Sequence, residues 1–255
     1  MRYQGSKARL FKKLSTIVCR NLTPNKIFID MFGGGMNFVD KVDCKQKIAN
    51  DFNSYVVELW KDIQENGMKN IPYNVSEADY YDAKKAYLCN DYSRYSKAQI
   101  AYIAVCCSYS GKWWGGYAHY NEKRNEDHVK EAYYNLKRQV EGFVNLRNTM
   151  FVNSSYSDWG FDSSSRYLLP SPEDCVIYCD PPYMNTVKYK DDFDSEAFWK
   201  WVRKLSKYGY EIYVSEYNAP KDFTCLTEIV VADGMQTTKS GIKQNRKVEK
   251  LFRYQ

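Results

Sequence analysis

Four consecutive residues, Asp180-Pro181-Pro182-Tyr183, set a carboxylate, a rigid turn and a flat ring just after an apolar run, Cys175-Val176-Ile177-Tyr178-Cys179. That run is short and rich in β-branched and aromatic side chains, and it reads as a buried strand. The prolines cannot continue it, because proline has no N–H to donate and restricts the residue before it. The chain must leave the sheet there, carrying an acid and an aromatic ring out at the strand's carboxyl end. In open α/β sheets that edge is where ligands sit. A carboxylate, exposed carbonyls and a flat ring suit the gripping of a planar group with an exocyclic amine. Asp and Pro are also ordinary turn residues, so alone the four residues fit better a capped turn on which Tyr183 merely packs.

Two further stretches carry chemistry of a related kind. Lys26-Ile27-Phe28-Ile29-Asp30 reads as a strand, Met31-Phe32-Gly33-Gly34-Gly35 as a loop, and Met36-Asn37-Phe38-Val39 as the start of a helix. Strand, glycine loop and helix is the arrangement in which backbone approaches a ligand closely. It is not G-x-G-x-x-G and no Walker lysine follows, so dinucleotide and phosphate sites are poorly supported. Lys47-Ile48-Ala49-Asn50 is a second strand, ending in Asp51-Phe52-Asn53. An acid at the end of the second strand, roughly 20 residues beyond a glycine loop, is placed for ribose hydroxyls. Phe52 beside it offers a face to an adenine ring. By itself Asp51 fits a helix cap better; with the glycine loop it becomes a nucleoside-site candidate. Ahead of both, Gly5 and Ser6 can form a turn that leaves Tyr3 and Lys7 projecting, before a helix marked by Leu10, Leu14, Ile17 and Val18.

Helices are expected over 77–89, 97–107 and 126–144. Between the second and third, residues 108–121 are rich in glycine and aromatics and read as a hairpin or exposed loop. Lys112, Trp113, Trp114, Tyr117 and His119 lie in it, with Lys123 and Arg124 just beyond. Large aromatics beside glycines can wedge between or stack on bases, or they can anchor the loop on the helices. After it, 149–152 reads as a strand leading to Ser155-Tyr156. Asp194 or Ser195 can cap a helix through Phe198, Trp201, Val202 and Leu205, and 211–215 is another strand. Candidate antiparallel strands at 228–232 and 248–254 are separated by a polar, basic loop over 233–247.

With 255 residues the chain can bury a sizeable core. Its net charge of +6 and pI near 8.7 admit an anionic partner. The distribution says more. Residues 1–26 carry seven Lys and Arg and no acid, and Lys239, Lys243, Arg246, Lys247 and Lys250 cluster near the other end, opposed only by Glu249. Two basic ends can form one phosphate-facing surface if the fold joins them. Eight Cys without C-x-x-C spacing and two His indicate neither a disulfide framework nor a metal centre. No apolar run approaches membrane-spanning length. A soluble, cytoplasmic, monomeric protein without metal is expected.

Together these segments resemble the DNA adenine-N6 methyltransferases related to Dam, the D12 class, in the α-group order. The resemblance rests on Tyr3-Gln4-Gly5-Ser6-Lys7, Asp30-Met31-Phe32-Gly33-Gly34-Gly35, Asp51-Phe52-Asn53 and Tyr178-Cys179-Asp180-Pro181-Pro182-Tyr183, in that order, with Lys247-Val248-Glu249-Lys250-Leu251-Phe252 like the family's closing strand. It implies a Rossmann-like S-adenosylmethionine-dependent sheet formed by 1–55 and 149–255, with 56–148 an inserted, mainly helical target-recognition domain. Tyr3 and Lys7 would contact the cofactor's methionine end and adenosine side. Asp30, Phe32, Gly33, Gly34, Gly35 and Asp180 would line its pocket, Asp51 would hold the ribose, and Phe52, Ser155 and Tyr156 would enclose its adenine. Asp180 and the Pro181 carbonyl would accept from N6 of an adenine flipped out of double-stranded DNA, with Pro182 shaping the turn and Tyr183 stacking on the base. Lys112–Asn121 would read bases, and Lys239, Lys243 and Arg246 would meet phosphates. One departure is Met36, where relatives commonly show the second glycine of F-x-G-x-G. The aromatic loop does not match GATC-specific relatives, and the absence of a nuclease segment points to a standalone modification enzyme. Methylation of RNA, or a catalytically silent DNA-binding protein on the same scaffold, are the rival readings.

Overall fold

The computed structural model describes residues 1–182, 193–238 and 241–255, with 232–238 and 241–247 described by their backbone alone. Helix α1 (Phe11–Val18) buries Leu14 and Val18, so the apolar spacing near the start of the chain marks a core-facing stripe. Strands β1 (Ile27–Asp30) and β2 (Gln46–Asp51) follow, then helix α2 (Ser54–Asn66). Asn53 caps α2 by accepting from the N–H groups of Tyr55 and Val56. Helices α3 (Glu77–Cys89), α4 (Lys97–Cys106) and α5 (His128–Glu141) come next, the first two opened by capping boxes on Ser76 and Ser96. Strand β3 (Thr149–Asn153) returns to the sheet, and β4 (Trp159–Gly160) and β5 (Tyr167–Leu168) form a small separate ladder. Strand β6 (Cys175–Cys179), helix α6 (Ser195–Lys207), strand β7 (Ile212–Glu216) and the hairpin β8 (Phe223–Thr238) and β9 (Gly241–Tyr254) complete it.

The sheet order is β3-β2-β1-β6-β7-β9-β8. The first five strands are parallel, and β9 joins antiparallel to β7 and β8. Its faces alternate, as strand geometry requires. One face (Phe28, Val176, Tyr178, Tyr213, Leu251) packs into a cluster with Leu10 and Leu14, with Trp60 of α2, Tyr102 of α4 and Leu136 of α5. The other face (Ile29, Ile177, Ile212, Val214) meets Phe198, Trp199, Val202 and Leu205 of α6. Both faces covered is the condition under which a parallel sheet is stable, and the arrangement is the expected Rossmann-like α/β fold.

Three local expectations change and one element is added. Met36–Val39 does not begin an α-helix: Met36 has φ +54, the left-handed region, and only a single 3-10 turn at Val39–Lys41 follows. The helix α2 is an element the sequence reading passed over. The third expected helix is shorter, capped by Asp127 and stopped at Gly142. Within 233–247, residues 233–238 and 241–247 are not loop: the β8–β9 ladder continues through Ala232↔Arg246 and Gln236↔Lys243 to Thr238↔Gly241. A ladder is made of backbone bonds, so it can extend where the side chains lack apolar periodicity.

Candidate active site

Strands β2, β1 and β6 run side by side in one direction, so their carboxyl ends open at a common edge. From β1 the chain moves outward to β2 and β3, then returns to place β6 on β1's other side. The β1–β6 junction is therefore where strand order reverses, the place where open α/β sheets bind ligands. Asp30 ends β1, Asp51 ends β2, and Asp180 follows β6.

Two of these acids feel each other. Asp30 is 2% exposed, and its Oδ1 accepts a long bond (3.4 Å) from the Phe32 N–H. Burial holds its carboxyl well above the usual range, and the neighbouring Asp180 pushes the same way. Lys7 supplies countercharge. Its Nζ, on a side chain 4% exposed, lies 2.8 Å from Oδ1 of Asp180 and 3.8 Å from Oε2 of Glu249, and it donates to the Gly5 carbonyl at 3.1 Å. At such distances an ion pair out of bulk water is several times stronger than an exposed one. Pro181 is buried and Pro182 half-buried. Tyr183 lies outside the described residues.

The glycine loop is held by backbone bonds and covered by a ring. The Gly33 N–H donates to the Asn50 carbonyl, and the Gly34 N–H to Oδ2 of Asp51, both at 2.7 Å. Oδ1 of Asp51 accepts from the Asn53 N–H at 2.8 Å. Burial raises the Asp51 carboxyl while these two N–H groups hold it down. Gly34 has φ +48, and a Cβ there would stand 2.7 Å from Cε1 of Tyr3; at Gly35 it would stand 2.7 Å from Cβ of Tyr3. The Tyr3 ring therefore rests directly on the loop, which side chains would push away. Met36 keeps a left-handed backbone without being glycine, at a cost of about 1–2 kcal/mol. Its fully buried side chain offsets that cost and sits against Gly33.

Phe52, just past Asp51, is 78% exposed. Asn153 ties the two strand ends together by donating to the carbonyls of Asp51 and Phe52, each at 2.9 Å. Ser155 caps its own turn, and the Tyr156 ring packs 5.9 Å from Phe32 and 5.3 Å from Phe198. Phe32 is thus part of an aromatic wall completed by Phe193. Asn50 was not singled out from the sequence, yet it braces the edge: its Nδ2 donates to the carbonyls of Met31 (3.0 Å) and Ser154 (3.1 Å). The one available signal was an amide at the end of an apolar strand, directly before Asp51.

The residues assigned to nucleic acid divide into two groups. Trp114 packs on Tyr80 and Tyr87, with centroids at 5.3 and 5.7 Å, and Trp113 packs on Tyr55 and Tyr87 at 6.0 and 5.7 Å. The hydroxyl of Tyr117 donates to the Val75 carbonyl at 2.7 Å. These rings anchor the loop on the helices. Lys112 is half-buried, while His119, Lys123 and Arg124 are exposed, His119 with Nε2 3.5 Å from Glu77. Lys239 lies outside the described residues, and Lys243 and Arg246 are placed by backbone only, opposite Gln236 and Ala232. The N-terminal loop also couples to the aromatic loop, since the Gln4 N–H donates to the Gly111 carbonyl at 3.1 Å. Among the described residues no cluster of metal-ligating side chains occurs, and no helix is long and apolar enough to cross a membrane.

A family model described as D12 class N6 adenine-specific DNA methyltransferase matches residues 3–239. Among curated proteins the chain is similar to the Type II methyltransferase M.FokI of Planomicrobium okeanokoites, 26% identical over 220 residues, covering 80% of this chain and 31% of that protein. It is similar also to the Modification methylase StsI of Streptococcus sanguinis, 23% identical over 239 residues, covering 89% of this chain and 35% of that protein. The chain spans about a third of the length of these relatives. The solved structure of the putative methyltransferase yhhF from Escherichia coli aligns with 98% of this chain and 84% of its own, at a TM-score of 0.34 and 9% identity. The fold assignment rests on the strand order, not on that likeness.

Proposed function

The chain belongs to the D12 class of N6 adenine-specific DNA methyltransferases, and on that premise we propose that it transfers a methyl group from S-adenosylmethionine to N6 of an adenine flipped out of double-stranded DNA. The observation that carries the reading is the meeting of Asp180, Lys7, Asp30 and the Tyr3-covered glycine loop at the strand-order reversal.

The residues present fit the cofactor. Asp51 is fixed by two N–H groups, and each of its oxygens keeps lone pairs for ribose hydroxyls. A phenylalanine 78% exposed, as Phe52 is, suits stacking on an adenine. Tyr156 and Phe32 line the adjoining wall, with Ser155 beside them. Tyr3 and Lys7 would contact the methionine end and adenosine side of the cofactor. When bound, S-adenosylmethionine supplies an electrophilic methyl group on a sulfonium.

The remaining work falls to the chain. The adenine amine is a weak nucleophile because its lone pair is delocalised into the ring. Asp180 and the Pro181 carbonyl each accept one N6 hydrogen, which draws the nitrogen toward tetrahedral geometry and aims its lone pair. Much of the rate then comes from positioning. N6 would take the methyl group that the cofactor supplies, and the N6 proton would leave on the Asp180 side. Since that proton turns acidic only as the methyl arrives, Asp180 need not be a strong base. Tyr183 stacks on the extruded base. Residues 56–148 serve target recognition, with His119, Lys123 and Arg124 as exposed contacts and Lys239, Lys243 and Arg246 toward phosphate.

Transfer of tritiated methyl groups to adenine-containing duplex DNA tests this. Wild-type protein should label the DNA, and Asp180→Ala should not, while still retarding DNA in a gel. Normal turnover by Asp180→Ala would sink the assignment, and labelling of RNA but not DNA would replace the substrate.

A further inference from the structure

Glu249 was not among the residues the sequence placed at the site, yet the fold delivers it there. In β9, Leu251 lies opposite Ser215 of β7, and Glu249 lies opposite Ile229 of β8. Residues two apart share a strand face, and Leu251 is buried on the face that holds Tyr178 and is covered by the N-terminal segment. Glu249 therefore meets Lys7. Side chains only 14% and 19% exposed, Glu249 and Asp180, address one ammonium whose own side chain is 4% exposed. A lysine stem has several free torsions, so a second acid narrows where the ammonium can rest.

We propose that Glu249 is a positioning residue for methyl transfer: by fixing Lys7 it fixes the carboxylate of Asp180 that Lys7 contacts through Oδ1. The inference rests on the function proposed above for Asp180. Beside Asp180 stand Lys7 from the N-terminal segment, which also reaches Glu249 of β9, together with Asp30 from β1 and Tyr178 and Cys179 from β6. Of these, Lys7 carries positive charge and Glu249 negative charge. Removing the charge of Glu249 therefore makes Asp180 a weaker base, and removing Lys7 makes it a stronger one.

The test is steady-state methyl transfer to duplex DNA by wild type, Glu249→Gln, Lys7→Met and the double variant, from about pH 5 to 9. Glu249→Gln should lower kcat about 10- to 100-fold. Its KM for S-adenosylmethionine should stay within about twofold of wild type, as expected for a group acting on the chemical step. The acid limb of kcat should move to lower pH in Glu249→Gln and to higher pH in Lys7→Met. In the Lys7→Met background, Glu249→Gln should cost less than about twofold more, because the two changes disable one linkage. Glu228→Gln, which removes the exposed partner of Lys250 on the same hairpin, should behave as wild type. Wild-type kcat in Glu249→Gln, an unmoved acid limb, or additive losses in the double variant would overturn the proposal. If Glu249→Gln does not fold, Glu249→Asp carries the test: it keeps the charge with a shorter reach and should lower kcat, and wild-type kcat there also overturns it. A wild-type protein inactive on all nucleic acids would instead remove the function itself.

Discussion

Gly34 is where the proposed cofactor cradle can be perturbed with the least disturbance to the sheet. Its φ of +48 makes alanine cost about 1–2 kcal/mol in backbone conformation. The added Cβ would lie 2.7 Å from Cε1 and 3.2 Å from Cζ of Tyr3, whereas carbon atoms rest at about 3.5–4 Å. Ring or loop must retreat by roughly 1 Å to restore that spacing. A retreating loop stretches the 2.7 Å bond from the Gly34 N–H to Asp51, and a bond to a charged group is worth about 1.5–3 kcal/mol. The sum is about 2.5–5 kcal/mol, or roughly two to three and a half powers of ten in an equilibrium constant. Free protein can relieve much of it by swinging Tyr3 aside, so the cost should surface when ligand demands the closed loop. We expect Gly34→Ala to weaken S-adenosylmethionine binding by calorimetry about 100- to 1,000-fold, with only a few degrees lost in Tm. In a Tyr3→Ala background the steric part is gone, and Gly34→Ala should cost about tenfold, from backbone conformation alone. Binding within twofold of wild type, or the same loss with and without Tyr3, would refute the cradle.

Three further expectations separate anchoring from contact and charge from packing. Trp114→Ala should lower stability by about 3 kcal/mol in urea titration, because it removes the ring packed on Tyr80 and Tyr87; an unchanged midpoint would mean the loop is held otherwise. Lys123→Ala with Arg124→Ala should leave that midpoint within about 0.5 kcal/mol but lower the salt slope of DNA binding by about one for each phosphate no longer neutralised; an unchanged slope removes both from the interface. Lys47 donates to the carbonyls of Val39 (3.0 Å), Val42 (3.2 Å) and Val144, and burial lowers its ammonium to about 8. An unfolded lysine titrates near 10.4, so between about pH 8 and 10.4 the unfolded chain binds more protons and this group makes stability rise with pH. Wild type should gain about 1–3 kcal/mol on Lys47→Met across that window, and a pH-independent difference would contradict it.

What the sequence made legible was whatever is decided locally. The run 175–179 is apolar and ends at prolines, so β6 was readable to the residue. Asp194 and Ser195 stand ahead of an apolar stripe, so α6 was readable as an element, though not which of the two caps it; the cap is Asp194. Elements decided by distant partners were not. The 233–247 stretch lacks periodicity, yet backbone pairing makes 233–238 and 241–247 strand. Met36 breaks the expected helix because its side chain finds a core site that holds a left-handed backbone. Trp113 and Trp114 announce themselves by type, but their direction depends on Tyr55, Tyr80 and Tyr87, which lie on other helices.

The same distinction applies to Asp180 itself. Its four-residue motif specifies a turn, a carboxylate and exposed carbonyls, but not the protonation state on which the proposed chemistry turns. Beside a buried Asp30, an unbalanced Asp180 would be driven to take up a proton, and a protonated carboxyl keeps one oxygen as a donor rather than an acceptor. The balance comes from Lys7, near the start of the chain, whose ammonium is also contacted by Glu249 on a strand far downstream. A buried acid that loses such a partner typically costs several kcal/mol, far more than the pair contributes when intact. The opening lysine and the closing strand are thus conditions for the clamp, as much a part of it as the motif they flank.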